Sequence, residues 1–295
     1  MQKQFLISFC NNKSNIDKKN KGFIGLLNID MKSHSLSFQS IALPLPNDLA
    51  GNGITGMCYH QGRLVLLLQR MPSTLLFLND SYELSDYWPL ADIKGVHSIL
   101  SKGDSIYLSV TNQDKIVKVD NKKAVQVMWS KATQSDTIHL NSICEHNNRI
   151  YATAFGEKEE NLWSSARSGT AFCIETNETI IDKIWHPHSL FSYQNQLYCC
   201  DSSNQRVIGQ QQPLLSDLPG YSRGLYINDE LIICGNSLGR QVSHSTGIKI
   251  SNKSDKGTLA GVCGVSVNFR QNNQAVFLDL TNVASEVFEI MPVIQ

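Results

Sequence analysis

Four of the chain's eight histidines recur at equivalent points of a repeating pattern, beside an arginine, a glutamate, an asparagine and a tyrosine. The residues are His97, His139, His186 and His188, with Thr55, Asn141, Tyr221, Arg223 and Glu286. Imidazole titrates near neutral pH and suits proton transfer. The planar fork of arginine suits a carboxylate or phosphate. Brought together, these groups form a site for a small polar or anionic molecule, with His97, His139, His188 and Glu286 as acid–base candidates. Thr55, Asn141, Tyr221 and Arg223 are the substrate-binding candidates. Lyase, isomerase and hydrolase chemistry all fit such a set. Metal assistance is a second reading, because His186 and His188 flank Pro187 and this spacing puts both rings on one side of a strand. Neutral imidazoles with a carboxylate or amide oxygen would hold one divalent ion such as zinc, manganese or iron.

Other chemistries lack their residues. Glycine-rich phosphate loops, GxSxG and HExxH are absent, so no nucleotide cofactor is expected. Lys plus Arg equals Asp plus Glu at 26 each, which gives no field to hold nucleic acid. Trp88, Trp129, Trp163 and Trp185 are dispersed and form no stacking platform. The opening apolar run, Phe5 to Phe9, is too short for a signal core or membrane span, so a soluble cytoplasmic protein is expected. The eight cysteines are scattered through apolar runs without CxxC spacing, which argues against structural zinc or a disulfide framework. Cys199 and Cys200 should point to opposite faces of a strand.

What positions the candidates is a repeat. TGMCYHQGRLVLLLQ, HSILSKGDSIYLSVT, NSICEHNNRIYATAF, HSLFSYQNQLYCCDS and RGLYINDELIICGNS are each two strands around a turn of Gly, Asn and Asp type. Their starts lie near 55, 97, 141, 188 and 223, and a sixth falls in register at 286. Intervals of roughly 35–63 residues, with further strands such as TLLFLND and KIVKVDN after each hairpin, are propeller-blade spacing. The expectation is an all-β chain forming one domain over 1–295, a single six-bladed β-propeller. N- and C-terminal strands share one blade and close the ring, leaving no open edge. The first strand of each blade lines the central channel, so Thr55, His97, Asn141, His188, Arg223 and Glu286 should form one ring. Gly53, Gly95, His139, His186, Tyr221 and Ala284, two residues earlier, should form a second layer by strand alternation. His97 then lies across from Arg223, and Arg223 adjoins Glu286. The polar runs 11–22 and 239–261 read as surface segments, and either could be a lid.

The alternative is a non-catalytic propeller that binds a ligand, glycan or protein partner on its face. Loops of Asn, Ser, Lys, Gln and Asp argue against a large hydrophobic docking surface, and no membrane contact is indicated. At WHPHSL, LYCCDSSNQRV, LPGYSRGLYI and SEVFEIMP the chain resembles a bacterial family of conserved hypothetical proteins, the domain of unknown function 4915. The matching motifs are His139 to Asn141, Pro187 to Ser189, Pro219 to Gly224 and Glu286 to Phe288. The resemblance implies a propeller and supports these strand starts as site positions, without naming a substrate. The long polar insertion after Gly239 departs from the family pattern.

Overall fold

The run from Leu64 to Leu68 shows how the sequence builds the core. Val65 and Leu67 pack into one apolar cluster and Leu64, Leu66 and Leu68 into another, because successive side chains leave opposite faces of a strand. Both faces are buried, so the run is continuously apolar rather than alternating. Cys199 and Cys200 divide in the same way between two clusters. All eight cysteines are buried.

The computed structural model describes residues 1–10, 23–132, 135–210, 212–239 and 261–294. Six four-stranded antiparallel sheets form the blades of a propeller. Blade 1 begins at its inner strand Ile54–His60, blade 2 at Val96–Lys102, blade 3 at Leu140–His146, blade 4 at Pro187–Tyr193 and blade 5 at Tyr221–Ile227. Blade 6 places the C-terminal strand Glu286–Pro292 innermost, against the N-terminal strands Gln2–Cys10, Ile24–Asp30 and Ser35–Ile41. Each inner strand touches the next, and the last returns to the first. Six apolar clusters fill the six wedges between neighbouring blades. The architecture is therefore the expected six-bladed propeller closed by both termini. Run 11–22 and nearly all of 239–261, with the lid expectation attached to them, lie outside the described residues. Among the described residues no helix is long and apolar enough to cross a membrane.

The inner strands run in one direction along the channel. Thr55 donates to the carbonyl of Val96 at 3.0 Å, start to start. His60 bonds Ser101 at 2.9 Å, end to end. All six inner strands also carry a register shift near their start, at 54/56, 96/98, 140/143, 188/191, 223/225 and 287/289. Such bulges re-aim side chains, and here they occur at the level of the candidate residues. Alternation alone does not describe this level of the channel.

Candidate functional site

His188 enters the channel as the second residue of its strand and is 1% exposed. Its Nδ1 lies 2.9 Å from the carbonyl of His186 and 2.8 Å from Oγ of Ser202. A carbonyl only accepts, and the Ser202 hydroxyl spends its proton on the carbonyl of Ser222 at 2.6 Å. The proton of His188 is thus on Nδ1, and Nε2 carries the lone pair. That Nε2 is buried and has no hydrogen-bond partner.

The arrangement is duplicated two blades earlier. His97 Nδ1 faces the carbonyl of Gly95 at 3.1 Å and Oγ1 of Thr111 at 2.6 Å, while Thr111 donates to the carbonyl of Leu140 at 2.5 Å. His97 too presents Nε2 as an acceptor. Thr111 and Ser202 each open a 3-10 turn directly after the second strand of their blades. Each hydroxyl latches its blade to the next one and fixes the histidine tautomer with the same proton. Ser237 makes a third latch, to the carbonyl of Val287 at 3.1 Å, without a histidine.

Burial governs the charge of these rings. Loss of water, then the neighbouring charges of His139 and Arg223, pull His97 down to about 3. The same three causes bring His186 to about 3, against the main chain of Trp163 and Ser164. His188 falls well below the usual histidine range through burial and then Arg223. All three are neutral imidazoles at physiological pH.

Arg223 donates from Nη1 to Glu286 Oε2 at 2.9 Å, with both side chains buried. Its guanidinium sits 5.0 Å from the Phe288 ring and 5.3 Å from Tyr221, within cation–π range. Phe288 lies between the two sides of the channel, with its ring centre 6.2 Å from that of His97. The expected opposition of His97 and Arg223 is thus bridged by an aromatic ring. Nε of Arg223 and Nδ2 of Asn141, like Nε2 of His188, are buried without partners.

A second layer covers this ring, but not by strand alternation. His139 and His186 precede their strands in left-handed backbone, with φ of 50° and 56°. Gly53 and Gly95 hold the equivalent place with φ of 138° and 68°, where glycine avoids strain. The left-handed turns carry the two histidines over the channel. Asp136 orients His139, whose Nδ1 is 3.2 Å away, and also accepts from Nε1 of Trp163 at 3.0 Å. His186 stacks on Phe155 at 4.8 Å with 12° between the planes, and Tyr221 lies 5.4 Å from His188.

The structure therefore brings His97, His139, Asn141, His186, His188, Tyr221, Arg223 and Glu286 to one end of the channel. Thr55 is there too, but its proton is committed to Val96. The His186–Pro187–His188 pair gains no further ligand: among the described residues no three His, Cys, Asp or Glu side chains converge to hold a metal ion. The strand argument for that pair also needs correction, because His186 lies ahead of the strand and its carbonyl binds the Nδ1 proton of His188. Sequence reasoning did not reach Thr111, Ser202, Asp136, Phe155 or Trp163. The two hydroxyls had a signal, since each follows its histidine by fourteen positions.

Over nearly the whole chain the fold is similar to a chain of the crystallised nidogen/laminin complex, at 10% identity and a TM-score of 0.61, covering 98% of this chain and 97% of that one. A protein from Bacteroides uniformis provisionally assigned as a 6-phosphogluconolactonase shares it at 12% identity and a TM-score of 0.55, covering 99% of each chain. Streptogramin B lyase shares it at 10% identity and a TM-score of 0.51, covering 94% of this chain and 88% of that one. At such identities the likeness shows the fold. Comparison with curated proteins gave no match. Residues 80–295, which carry the histidine, arginine and glutamate motifs of the channel, match the sequence model of the domain of unknown function DUF4915, and the chain belongs to that family.

Proposed function

We propose that the protein is an enzyme for a small anionic molecule, using His188 as general base between two hydrogen-bond donors, and that its reaction is hydrolysis of an ester or lactone. The observation that carries this reading is the row of buried, unpartnered atoms on three consecutive inner strands: Asn141 Nδ2, His188 Nε2 and Arg223 Nε. Donor, acceptor and donor lie in sequence around the ring. Leaving three such atoms unbonded is unfavourable by about 1–3 kcal/mol each, which a ligand with the complementary edge would recover.

In the proposed reaction a water attacks the acyl carbon while Nε2 of His188 takes its proton. Asn141 and Arg223 donate to the oxygen on which negative charge develops. The acyl–oxygen bond then breaks, and the imidazolium returns the proton to the departing alkoxide. Burial, and after it Arg223, depress the basicity of His188, so an uncharged substrate meets a weak base. A substrate carboxylate or phosphate near Arg223 offsets that field and strengthens the base, which favours an anion. His97 presents a second Nε2 lone pair across the channel for orientation of substrate hydroxyls. Two chains of the same fold, the provisional 6-phosphogluconolactonase and streptogramin B lyase, are named for bond-cleaving activities, which supports a catalytic reading.

The test is acid release, followed with a pH indicator, from a panel of carboxylated and phosphorylated esters and lactones. Turnover of one or more is expected, with kcat falling roughly 10²–10⁴-fold in His188→Gln and the melting temperature little changed. Asn141→Ala is the second variant should His188→Gln fold poorly. Saturable binding without turnover would overturn catalysis in favour of a ligand-binding propeller, and silence across the panel would overturn the substrate class.

A further inference from the structure

A different cavity lies further along the channel, below the ring of strand starts. About 330 Å³ in volume, it is walled by residues of three inner strands that follow the strand starts: Ser189 to Phe191 of blade 4, Leu225 and Tyr226 of blade 5, and Glu289 to Pro292 of blade 6. That volume is at the lower end of ligand-sized pockets. Its walls are apolar apart from Ser189, the Tyr226 hydroxyl and one acid, Glu289. The bulge at Phe288 explains the acid, because the extra residue reverses the alternation and turns Glu289 to the same side as Glu286.

Glu289 lacks the counter-charge that Glu286 has. Oε2 accepts one hydrogen bond from the Met57 main-chain N–H at 2.6 Å, and among the described residues no cation pairs with it. The Ser189 hydroxyl is itself engaged by the N–H of Gly224 at 2.7 Å. The titratable group that feels Glu289 is the buried Cys58 thiol, which burial pushes far up and keeps neutral. Phe191 and Tyr226 pack edge to face at 5.7 Å beside the acid. An apolar chamber with two aromatic rings and one uncompensated carboxyl is the chemistry that recognises an ammonium group on a hydrophobic body.

We propose that this cavity is a second binding site, for a small organic ammonium ion whose charge meets Glu289 and whose apolar body lies against Leu190, Leu225 and Ile290. Burial raises the acid to about 8, so in the free protein it is mostly protonated at pH 7. A bound ammonium favours the carboxylate, and binding releases the proton.

Isothermal titration calorimetry with benzylamine and its neutral counterpart benzyl alcohol tests this at pH 7 in two buffers of different ionisation enthalpy. Benzylamine should bind once per chain with release of about one proton. It should bind about tenfold or more tighter to the wild type than to Glu289→Gln, in which proton release disappears. Leu225→Trp, which fills the chamber, should lose both probes, and His188→Gln should bind benzylamine as the wild type does. Equal benzylamine affinity in Glu289→Gln, equal affinity of the two probes, or no binding of benzylamine would each overturn the proposal.

Discussion

Arg223 and Glu286 offer a test in which stability and function come apart. Their side chains are 9% and 5% exposed and meet at 2.9 Å, so neither charge can fall back on bulk water when the other is removed. Losing one partner of a buried pair costs about 3–5 kcal/mol. Arg223→Met, which keeps the stem and deletes the charge, should therefore lower the melting temperature by roughly 6–20 °C. Glu286→Met should cost less, because the remaining guanidinium keeps the faces of Phe288 and Tyr221 at 5.0 and 5.3 Å. The double variant replaces a buried pair with two apolar side chains and should recover to within about 2 kcal/mol of the wild type. Urea denaturation of all four proteins then gives a coupling energy of about 2 kcal/mol or more. Turnover should not recover with stability, because the Nε–H of Arg223 is still missing. Additive single effects, each under about 1 kcal/mol, would show that the pair is solvated and refute the reasoning from burial.

Two further outcomes follow from the same site. Thr111→Val fills the same buried volume but strands the Leu140 carbonyl and removes one acceptor from His97 Nδ1. It should cost about 1–3 kcal/mol in denaturant titrations, with Thr111→Ser restoring most of it, and a Thr111→Val protein as stable as wild type would refute the latch. Stability should also depend on pH in two overlapping windows of opposite sign. His97 and His186 are near 3 when folded, against 6.5 ordinarily, so their contribution is present above pH 6.5 and is lost as pH falls through the folded value, by about 1.4 kcal/mol per pH unit each. Glu289 works in the other direction: raised from 4.5 to about 8, it contributes fully below pH 4.5 and loses that contribution as pH rises through 8. Melting curves from pH 8 to 5 should rise and then fall, and Glu289→Gln should flatten the upper limb and steepen the fall below pH 6.5. A flat wild-type profile would contradict both shifts.

The ring of six inner strands was legible because each blade repeats a hairpin whose turn residues and apolar strand are local features. Thr55, His97, Asn141, His188, Arg223 and Glu286 lie at strand starts because of that repeat. The layer of His139 and His186 was found by alternation, which is the wrong cause: both sit in left-handed backbone before their strands begin. Bulges were invisible because they depend on how neighbouring strands fit around the channel. The hydroxyls of Thr111 and Ser202 act on a different blade from their own, and Trp163 reaches His139 from a connecting segment, with ring centres 4.7 Å apart. Glu289 was hidden for a related reason. Counted along an ideal strand it falls on the face opposite Glu286, and the bulge at Phe288 reverses that.

The latches also constrain what the site can be. A histidine kept only for packing has no need of a fixed tautomer, yet His97 and His188 each give Nδ1–H to a carbonyl and to a hydroxyl whose own proton is committed to the next blade. Neither ring can turn its lone pair to the other side without giving up the Nδ1 bonds to its carbonyl and its hydroxyl. The hydroxyls that tie neighbouring blades together also hold both Nε2 atoms at the channel end, and burial, followed by His139 at His97 and by Arg223 at His188, keeps the rings neutral. A neutral acceptor next to a buried cation interacts weakly with a neutral ligand and gains proton affinity as soon as an anion neutralises that cation. In the proposed reaction the charge of the substrate would then take part in catalysis. Among esters of equal leaving group, those carrying a carboxylate or phosphate should therefore gain in kcat as well as in KM, and a gain confined to KM would assign Arg223 to binding alone.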